Sequence, residues 1–393
     1  MPKKVTRTAK TKAPKKKGVA ARRPPIPDEV STRLWVAAGG RCQFNGCNKP
    51  LWRNNRTMEQ LNLAYRAHIY AFAPGGTRYD KVHSPKLETD FRNLMLVCGS
   101  CHRTFDSKRL EKRYTPEVLK EMKRVHEERI ELVNGIAPRK KSDVLLYGAK
   151  IGEHDSPLDF VTVAEAMFPA RYPAADKGIE LSLASTAFKD KDAEYWRMED
   201  SHLVSLFEQR VKARKGNGAG HFSVFALAPM PLLIRLGSLL GEITEATTYQ
   251  LHRTPATWKW LSEAGEVRHT LHRGKSGGDI VALKLELSAS ITDDRIHAVL
   301  GDTCSIWSIT QPSPGNDYLR RFSDLEDLKA TMREALRGIL LSHPTAKGIH
   351  VFPAVPVSAA VELGRVWMPK ADHSLIVYDE YGGFHHALTI ERK

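Results

Sequence analysis

Four of the five cysteines fall in two short-range pairs, Cys42 with Cys47 and Cys98 with Cys101, separated by about fifty residues. Each pair can be closed by a tight loop that turns both sulfurs to one point, so the intervening chain must fold back until the two loops meet around a single ion. A tetrahedral thiolate set is the expected outcome, with zinc as the structural metal. Cys304 stands alone in the remainder of the chain. The run Cys98-Gly99-Ser100-Cys101-His102 also spells the attachment motif of c-type haem. That use requires export and leaves Cys42 and Cys47 without a role, and no apolar segment follows the N-terminal lysines to act as a secretory leader.

A chain of 393 residues with 41% hydrophobic content can bury two cores, so two domains are expected. The net charge of +15 points to a polyanionic partner. Ten of the positive charges, from Lys3 to Arg23, precede the first acidic residue, Asp28, and the rest of the chain carries about +5. Such an arm is disordered when free and can hold phosphates by releasing counterions, without reading sequence. No apolar run approaches the roughly 20 residues needed to cross a bilayer, and the most apolar stretch, Phe222 to Leu240, is broken by prolines and an arginine. A soluble, cytoplasmic protein with no membrane partner is expected.

The order along the chain is a basic arm over 1–27, a cysteine-bearing domain over 28–137, a short basic linker over 138–148 and an α/β domain over 149–393. A helix closes the first domain. Thr115 caps it, Pro116 takes its first position, Val118, Met122, Val125 and Ile130 follow at helical spacing, and Asn134-Gly135 ends it. In the second domain the spacing predicts strands at His221 to Ala226, Val281 to Leu287, Ser305 to Thr310, Ile349 to Ala354 and Ser374 to Tyr378. A helix from Ser323, with a capping box to Glu326, carries Leu325, Leu328, Met332, Leu336, Ile339 and Leu340 on its apolar face. This alternation favours an α/β sheet.

An internal repeat lies within that domain. Phe225-Ala226-Leu227-Ala228-Pro229 leads to Leu236-Gly237, and, 127 residues on, Phe352-Pro353-Ala354-Val355-Pro356 leads to Leu363-Gly364. Tyr249 to Arg253 falls opposite Ile376 to Glu380 in the same register. A duplicated strand, turn, helix and strand implies two Rossmann-like halves whose first turns face a shared crevice.

Three further residues complete the first domain: His68 in Ala67-His68-Ile69, Asn93, and His102 directly after Cys101. Over residues 34 to 110 they resemble the HNH endonuclease family, with its ββα-metal motif, and Gly39-Gly40-Arg41-Cys42 and Gly75-Gly76-Thr77-Arg78-Tyr79-Asp80 are similar to its zinc-containing branch. The resemblance implies a phosphodiester hydrolase in which His68 is the general base, Asn93 orients it, and His102 binds magnesium. Those groups suit the reaction, which needs a base of near-neutral pKa and a Lewis acid for developing charge. Many relatives place an aspartate just before the first histidine as a second metal ligand. Ala67 stands there, leaving Asp80, Asp90, Asp106 or His68 itself to fill the place.

Residues 150 to 393 resemble the SAVED family, related to CARF domains, through Phe225 to Gly237, Trp258-Lys259-Trp260 and Val366-Trp367-Met368-Pro369-Lys370 before Ile376-Val377-Tyr378. The fold expected is therefore α+β and multidomain: a zinc-stapled HNH nuclease, then a SAVED domain of two CARF/Rossmann-like halves. The combination resembles the effector nucleases of CBASS cyclic-oligonucleotide anti-phage systems. It implies that a cyclic di- or trinucleotide binds the second domain, drives assembly to a dimer or tetramer, and turns on cleavage of double-stranded DNA. Aromatic faces and cations suited to bases and phosphates are offered by Trp258, Trp260, Tyr378, Arg235, Arg253 and Lys370, and ligand-facing backbone by Pro229, Met230, Pro356 and Ser358. Two other readings use the same residues: a ligand-independent restriction-type HNH enzyme, and a zinc-finger DNA-binding protein without activity.

Overall fold

The computed structural model describes residues 24–54, 56–151, 158–182, 192–215, 220–241, 244–262 and 267–393. The basic arm through Arg23 lies outside them. The chain divides between Gly135 and Ile136 into two compact units.

The N-terminal unit opens with helix α1 (Asp28–Ala37). Strand β1 (Ala64–His68) pairs antiparallel with β2 (Leu94–Cys98), His68 opposite Leu94 and Ala64 opposite Cys98. Helix α2 (Gly99–Phe105) leaves β2 without a break. Every residue of β2 is buried, as a continuous apolar run requires. Helix α3 (Pro116–Asn134) starts as its cap foretold, with the Thr115 hydroxyl accepting from Val118 N at 3.4 Å. Its inward face differs from the apolar spacing. Leu119, Lys123 and His126 are buried, while Val118 and Val125 face solvent. The two polar residues are tolerated because each has a partner: Lys123 pairs with Glu127, and the His126 ring bonds to the Ala38 carbonyl at 3.0 Å.

The C-terminal unit begins earlier than the linker expected over 138–148 allows. Residues 141–148 form β3 (Lys141–Gly148), a strand flanked by neighbours on both sides, whose Val144 to Tyr147 are buried. Its basic first residues hid an apolar core. β3 runs parallel to β4 (Phe222–Leu227), and β4 to β5 (Ala246–Thr248). The second sheet sets β6 (Val281–Glu286) between β7 (Ser305–Thr310) and β8 (Gly348–Ala354), all parallel, followed by parallel β9 (Ser374–Glu380) and antiparallel β10 (Phe384–Ile390). The helix expected from Ser323 spans Phe322–Ser342, but the Ser323 capping box is absent. Arg321 sits at the cap instead and its guanidinium holds Asp324 at 2.6 Å.

The repeat is real in three dimensions. Helix α4 (Met230–Leu240) follows β4, helix α5 (Val357–Val366) follows β8, and the two pack on each other. They cross at the repeated glycines. A Cβ on Gly237 would fall 1.9 Å from the Val361 carbonyl oxygen, and one on Gly364 1.9 Å from that of Ile234. Each half also carries a matching aromatic triad: Phe225 stacks on Tyr249 at 4.3 Å with Trp258 edge-on, and Phe352 stacks on Tyr378 at 4.6 Å with Phe384 edge-on. The register of the second strand is shifted, however. Tyr378 answers to Tyr249, an offset of 129, and β5 ends at Thr248 instead of running through Arg253. A polar link joins the halves, since buried Glu362 of α5 accepts from Thr248 Oγ1 at 2.5 Å and from Arg365 Nη1 at 2.7 Å.

Gly237→Ala or Gly364→Ala must push two backbones apart, and each should lower the stability of the C-terminal unit by at least about 2 kcal/mol in a denaturant titration. Gly220→Ala, with no atom near its Cβ, should change it by under about 0.5 kcal/mol. His221, buried with its ring nitrogens on Ser142 Oγ at 2.8 Å and Thr247 Oγ1 at 3.0 Å, has its pKa driven down from 6.5 to about 3 by burial and by Arg171, Arg365 and Lys140. The unfolded chain protonates first, so this contribution is complete above pH 6.5 and falls by about 1.4 kcal/mol per pH unit below it, until about pH 3. The slope of stability against pH between 6.5 and 4 should be shallower by that amount in His221→Asn.

Candidate functional site

The four sulfurs of Cys42, Cys47, Cys98 and Cys101 lie within 4.8 Å of one another, and Cys47 Sγ stands 3.8 Å from Cys98 Sγ. Thiolates about 2.3 Å from a tetrahedral ion are about 3.8 Å apart, so the set has the dimensions of a one-metal site. The register builds it. Cys98 ends β2, Cys101 is in the first turn of α2, and the loop bearing Cys42 is tied to β2 by Gln43 N to Leu96 O at 2.9 Å and by Leu96 N to Gln43 Oε1 at 2.7 Å. Burial pushes the Cys42 thiol up to about 12. Burial also opposes ionisation of Cys98, yet the Ser100 hydroxyl, the Cys101 N–H and the neighbouring thiols bring it down to about 6. Such a cluster forms one thiolate readily and resists more charge, which a central cation would relieve.

His68 closes β1, half-buried, with Nε2 2.8 Å from the Glu88 carbonyl. Because a carbonyl only accepts, Nε2 carries the proton, which in the neutral ring leaves the lone pair on Nδ1. Asn93 lies across the hairpin from it, buried, and all of its side-chain bonds go to backbone: Oδ1 accepts from Tyr70 N at 2.7 Å, and Nδ2 donates to Tyr70 O at 3.2 Å and Leu87 O at 3.1 Å. Asn93 therefore fixes the segments on which His68 and its Glu88 partner sit, in place of the direct hold on the imidazole that was expected. His102 projects from α2, its ring stacked on Tyr65 of β1 at 5.1 Å and its Nε2 3.3 Å from Asp106 Oδ2. The other two aspartates weighed as second ligands are engaged elsewhere. Asp80 holds His83 at 2.9 Å and Asp90 holds Arg92 at 2.7 Å.

Arg78, within the Gly75-to-Asp80 segment, ties this region together. Its side chain is 2% exposed and donates to Ile69 O at 2.9 Å, Phe105 O at 2.5 Å and Asp106 Oδ1 at 2.6 Å. It thus joins the residue after His68 to the end of the helix that bears His102. No local pattern in the sequence marks Arg78 for this role. Arginine is rarely buried, and a buried one needs acceptors on every side that no local spacing reveals.

The C-terminal unit has a cleft of about 360 Å³ at the ends of β4 and β8. Ala228, Pro229 and Met230 line it from one half, and their repeat equivalents Val355, Pro356 and Val357 from the other. Gln250 and Leu251 are matched in the same way, at the offset of 129, by Asp379 and Glu380. Of the residues named as ligand-facing, Pro229, Met230, Pro356 and Arg253 line this cleft. Ser358 is buried behind it, donating from Oγ to Gln250 Oε1 at 2.7 Å. Trp258 and Tyr378 are core members of the aromatic triads. Trp260 packs on Phe322 and donates to Thr248 O at 3.3 Å, Arg235 pairs with Asp200 at 2.6 Å, and Lys370 is in an exposed turn. Their chemistry suited bases and phosphates, but packing claimed the rings.

Residues 205–390 match the family model of SAVED, the SMODS-associated and fused to various effectors sensor domain. The C-terminal region carries a SAVED domain. The structure adds β3, upstream of the matched residues, to its first sheet. Among solved structures, the SAVED/CARF-domain receptor Cap4 of Acinetobacter baumannii with the cyclic trinucleotide 2'3'3'-cAAA is 12% identical, over 80% of this chain and 67% of that one, with a TM-score of 0.41. With 3'3'3'-cAAA the figures are 11%, 80%, 68% and 0.42, and for Moraxella osloensis Cap4 they are 11%, 72%, 60% and 0.37. No curated protein matches the chain. No helix among the described residues is long and apolar enough to cross a membrane.

Elemental analysis should find one tightly held metal ion per chain. In Cys98→Ser/Cys101→Ser it should be absent, and a strong chelator should lower the melting temperature of the N-terminal unit while leaving that of the SAVED domain in place.

Proposed function

We propose that the chain is an HNH-type DNA endonuclease whose activity is switched on when a cyclic di- or trinucleotide binds its SAVED domain, in the manner of an anti-phage effector. The observation that carries the hydrolytic half is the order strand, loop, strand, helix, with His68 at the end of the first strand, Asn93 bracing the loop and His102 on the helix. Zinc held by Cys42, Cys47, Cys98 and Cys101 fits the sulfur spacing and would freeze the hairpin against α2.

In this reading His68 Nδ1 takes the proton of the attacking water, and the bond from Nε2 to the Glu88 carbonyl keeps the tautomer that makes this possible. The imidazolium formed is steadied by the same carbonyl. His102 and Asp106, one helical turn apart, are the residues that would hold magnesium, with Asp106 taking the ligand place that Ala67 leaves open. A divalent cation bound there would supply Lewis-acid stabilisation of charge on the phosphoryl oxygens. Arg78, paired with Asp106 Oδ1 at 2.6 Å, limits how that carboxylate can turn.

The sensing half rests on the cleft. Two sets of equivalent residues around one cavity suit a ligand built from repeated nucleotides, and ligand-driven assembly into a dimer or larger oligomer would bring nuclease modules together on duplex DNA.

Plasmid digestion with magnesium, screened against cyclic di- and trinucleotides, tests the whole reading. Cleavage is expected only with a cognate nucleotide, accompanied by a shift to larger mass in light scattering. His68→Ala should cut at least about 100-fold more slowly while keeping its thiolate-bound metal. Sequence-defined cutting without any nucleotide would favour the restriction-type enzyme. Binding of DNA with no cutting under any ligand would favour the zinc-finger binder.

A further inference from the structure

We infer that the turn Lys108–Arg113 is a phosphate-backbone docking surface for duplex DNA, set directly beside the His102 and Asp106 end of α2. This rests on the nuclease reading and deepens it by naming where the substrate is held. Lys108, Arg109, Lys112 and Arg113 are all exposed, and among the described residues none has a carboxylate partner. The one acid within the turn, Glu111, is engaged by the protein itself, its Oε1 accepting from Arg78 N at 3.1 Å.

The surface is also anchored. Leu110 packs against the domain core, Leu110 N donates to Ser107 O at 2.8 Å, and Tyr114, closing the turn, donates from N to Leu110 O at 3.0 Å and packs its ring on Phe44 at 5.4 Å. Through Glu111 and Arg78 the turn is fixed to Asp106, which touches His102. Cations held on such a platform give up counterions to a phosphate strand without first losing an ion pair.

A second basic region is the obvious rival and fails on charge. The cleft of about 430 Å³ lined by Arg92, Lys120, Lys123 and Arg124 has most of its cations neutralised: Arg92 by Asp90, Lys123 by Glu127, and Arg124 by both Glu121 and Glu128. Only Lys120 there lacks a carboxylate among the described residues, against all four cations of the turn.

The test uses the full-length His68→Ala protein, so that cleavage does not interfere, and measures binding of a fluorescent duplex by anisotropy across a salt series without added nucleotide. Replacing Lys108, Arg109 and Lys112 with alanine should flatten the slope of log K against log salt by about 2.7, at about 0.9 for each phosphate no longer neutralised. Replacing Lys177, Lys259 and Lys347 of the C-terminal unit, an equal change in net charge, should leave the slope within about 0.5. The inference is overturned by equal slopes in the two triple variants, by an absence of duplex binding in the parent, or by a weakening seen with duplex RNA and not with DNA. Because binding is read apart from cutting, a chain that docks DNA on this turn yet never cleaves it would sink the nuclease reading and leave the surface standing.

Discussion

Where α4 and α5 cross, Gly237 and Gly364 each face the other helix's backbone at a separation that excludes even a methyl group. This contact sets the spacing of the two halves of the SAVED domain, and most of what is distinctive in that unit follows from it. With the helices pinned at mid-length, their N-terminal turns, which begin at Met230 and Val357, are held on either side of one cleft. The Glu362, Arg365 and Thr248 bonds then tie the second half's helix to the first half's sheet. Charge buried at such a junction adds little net stability, but loss of either partner would leave the other buried without its pair.

The N-terminal unit depends on a different constraint. Four sulfurs must converge, and to do so β1, β2 and α2 must take up the hairpin-and-helix arrangement that also delivers His68, Asn93 and His102. Structure and candidate chemistry share one frame, but with a division of labour. The cysteines fix the backbone, while Arg78 and Asn93 fix the loops by bonding to backbone carbonyls and N–H groups. Both residues spend buried hydrogen bonds on geometry, which holds the segments around His68 and His102 in one arrangement.

The cleft is symmetric in backbone and unlike in chemistry. Gln250 and Leu251 on one side correspond to Asp379 and Glu380 on the other. The repeated strand, turn and helix give the two sides a similar frame, but their side chains differ, so they present different hydrogen-bonding groups to whatever occupies the cleft.

Much of this was legible in the order of residues. The cysteine spacing, the α3 cap at Thr115 and the apolar runs of β4, β6, β7, β8 and β9 are local signals, and each acts through neighbours a few residues away. The repeat was legible too, because Gly237 and Gly364 recur after the same strand and turn. What remained was decided by contacts between distant segments. Sequence could not show that Lys141–Gly148 is an inner strand, since its basic start resembles a linker and its burial comes from sheets formed later in the chain. Nor could it separate aromatic rings that meet a ligand from rings that meet each other: Trp258 and Tyr378 have the chemistry for stacking on a base, and tertiary packing against Phe225 and Phe352 used it up. The sequence by itself determined which elements form and which residues carry chemistry. Only the tertiary structure decided which of them share a surface, because burial and partnership depend on the whole fold and not on any window of the chain.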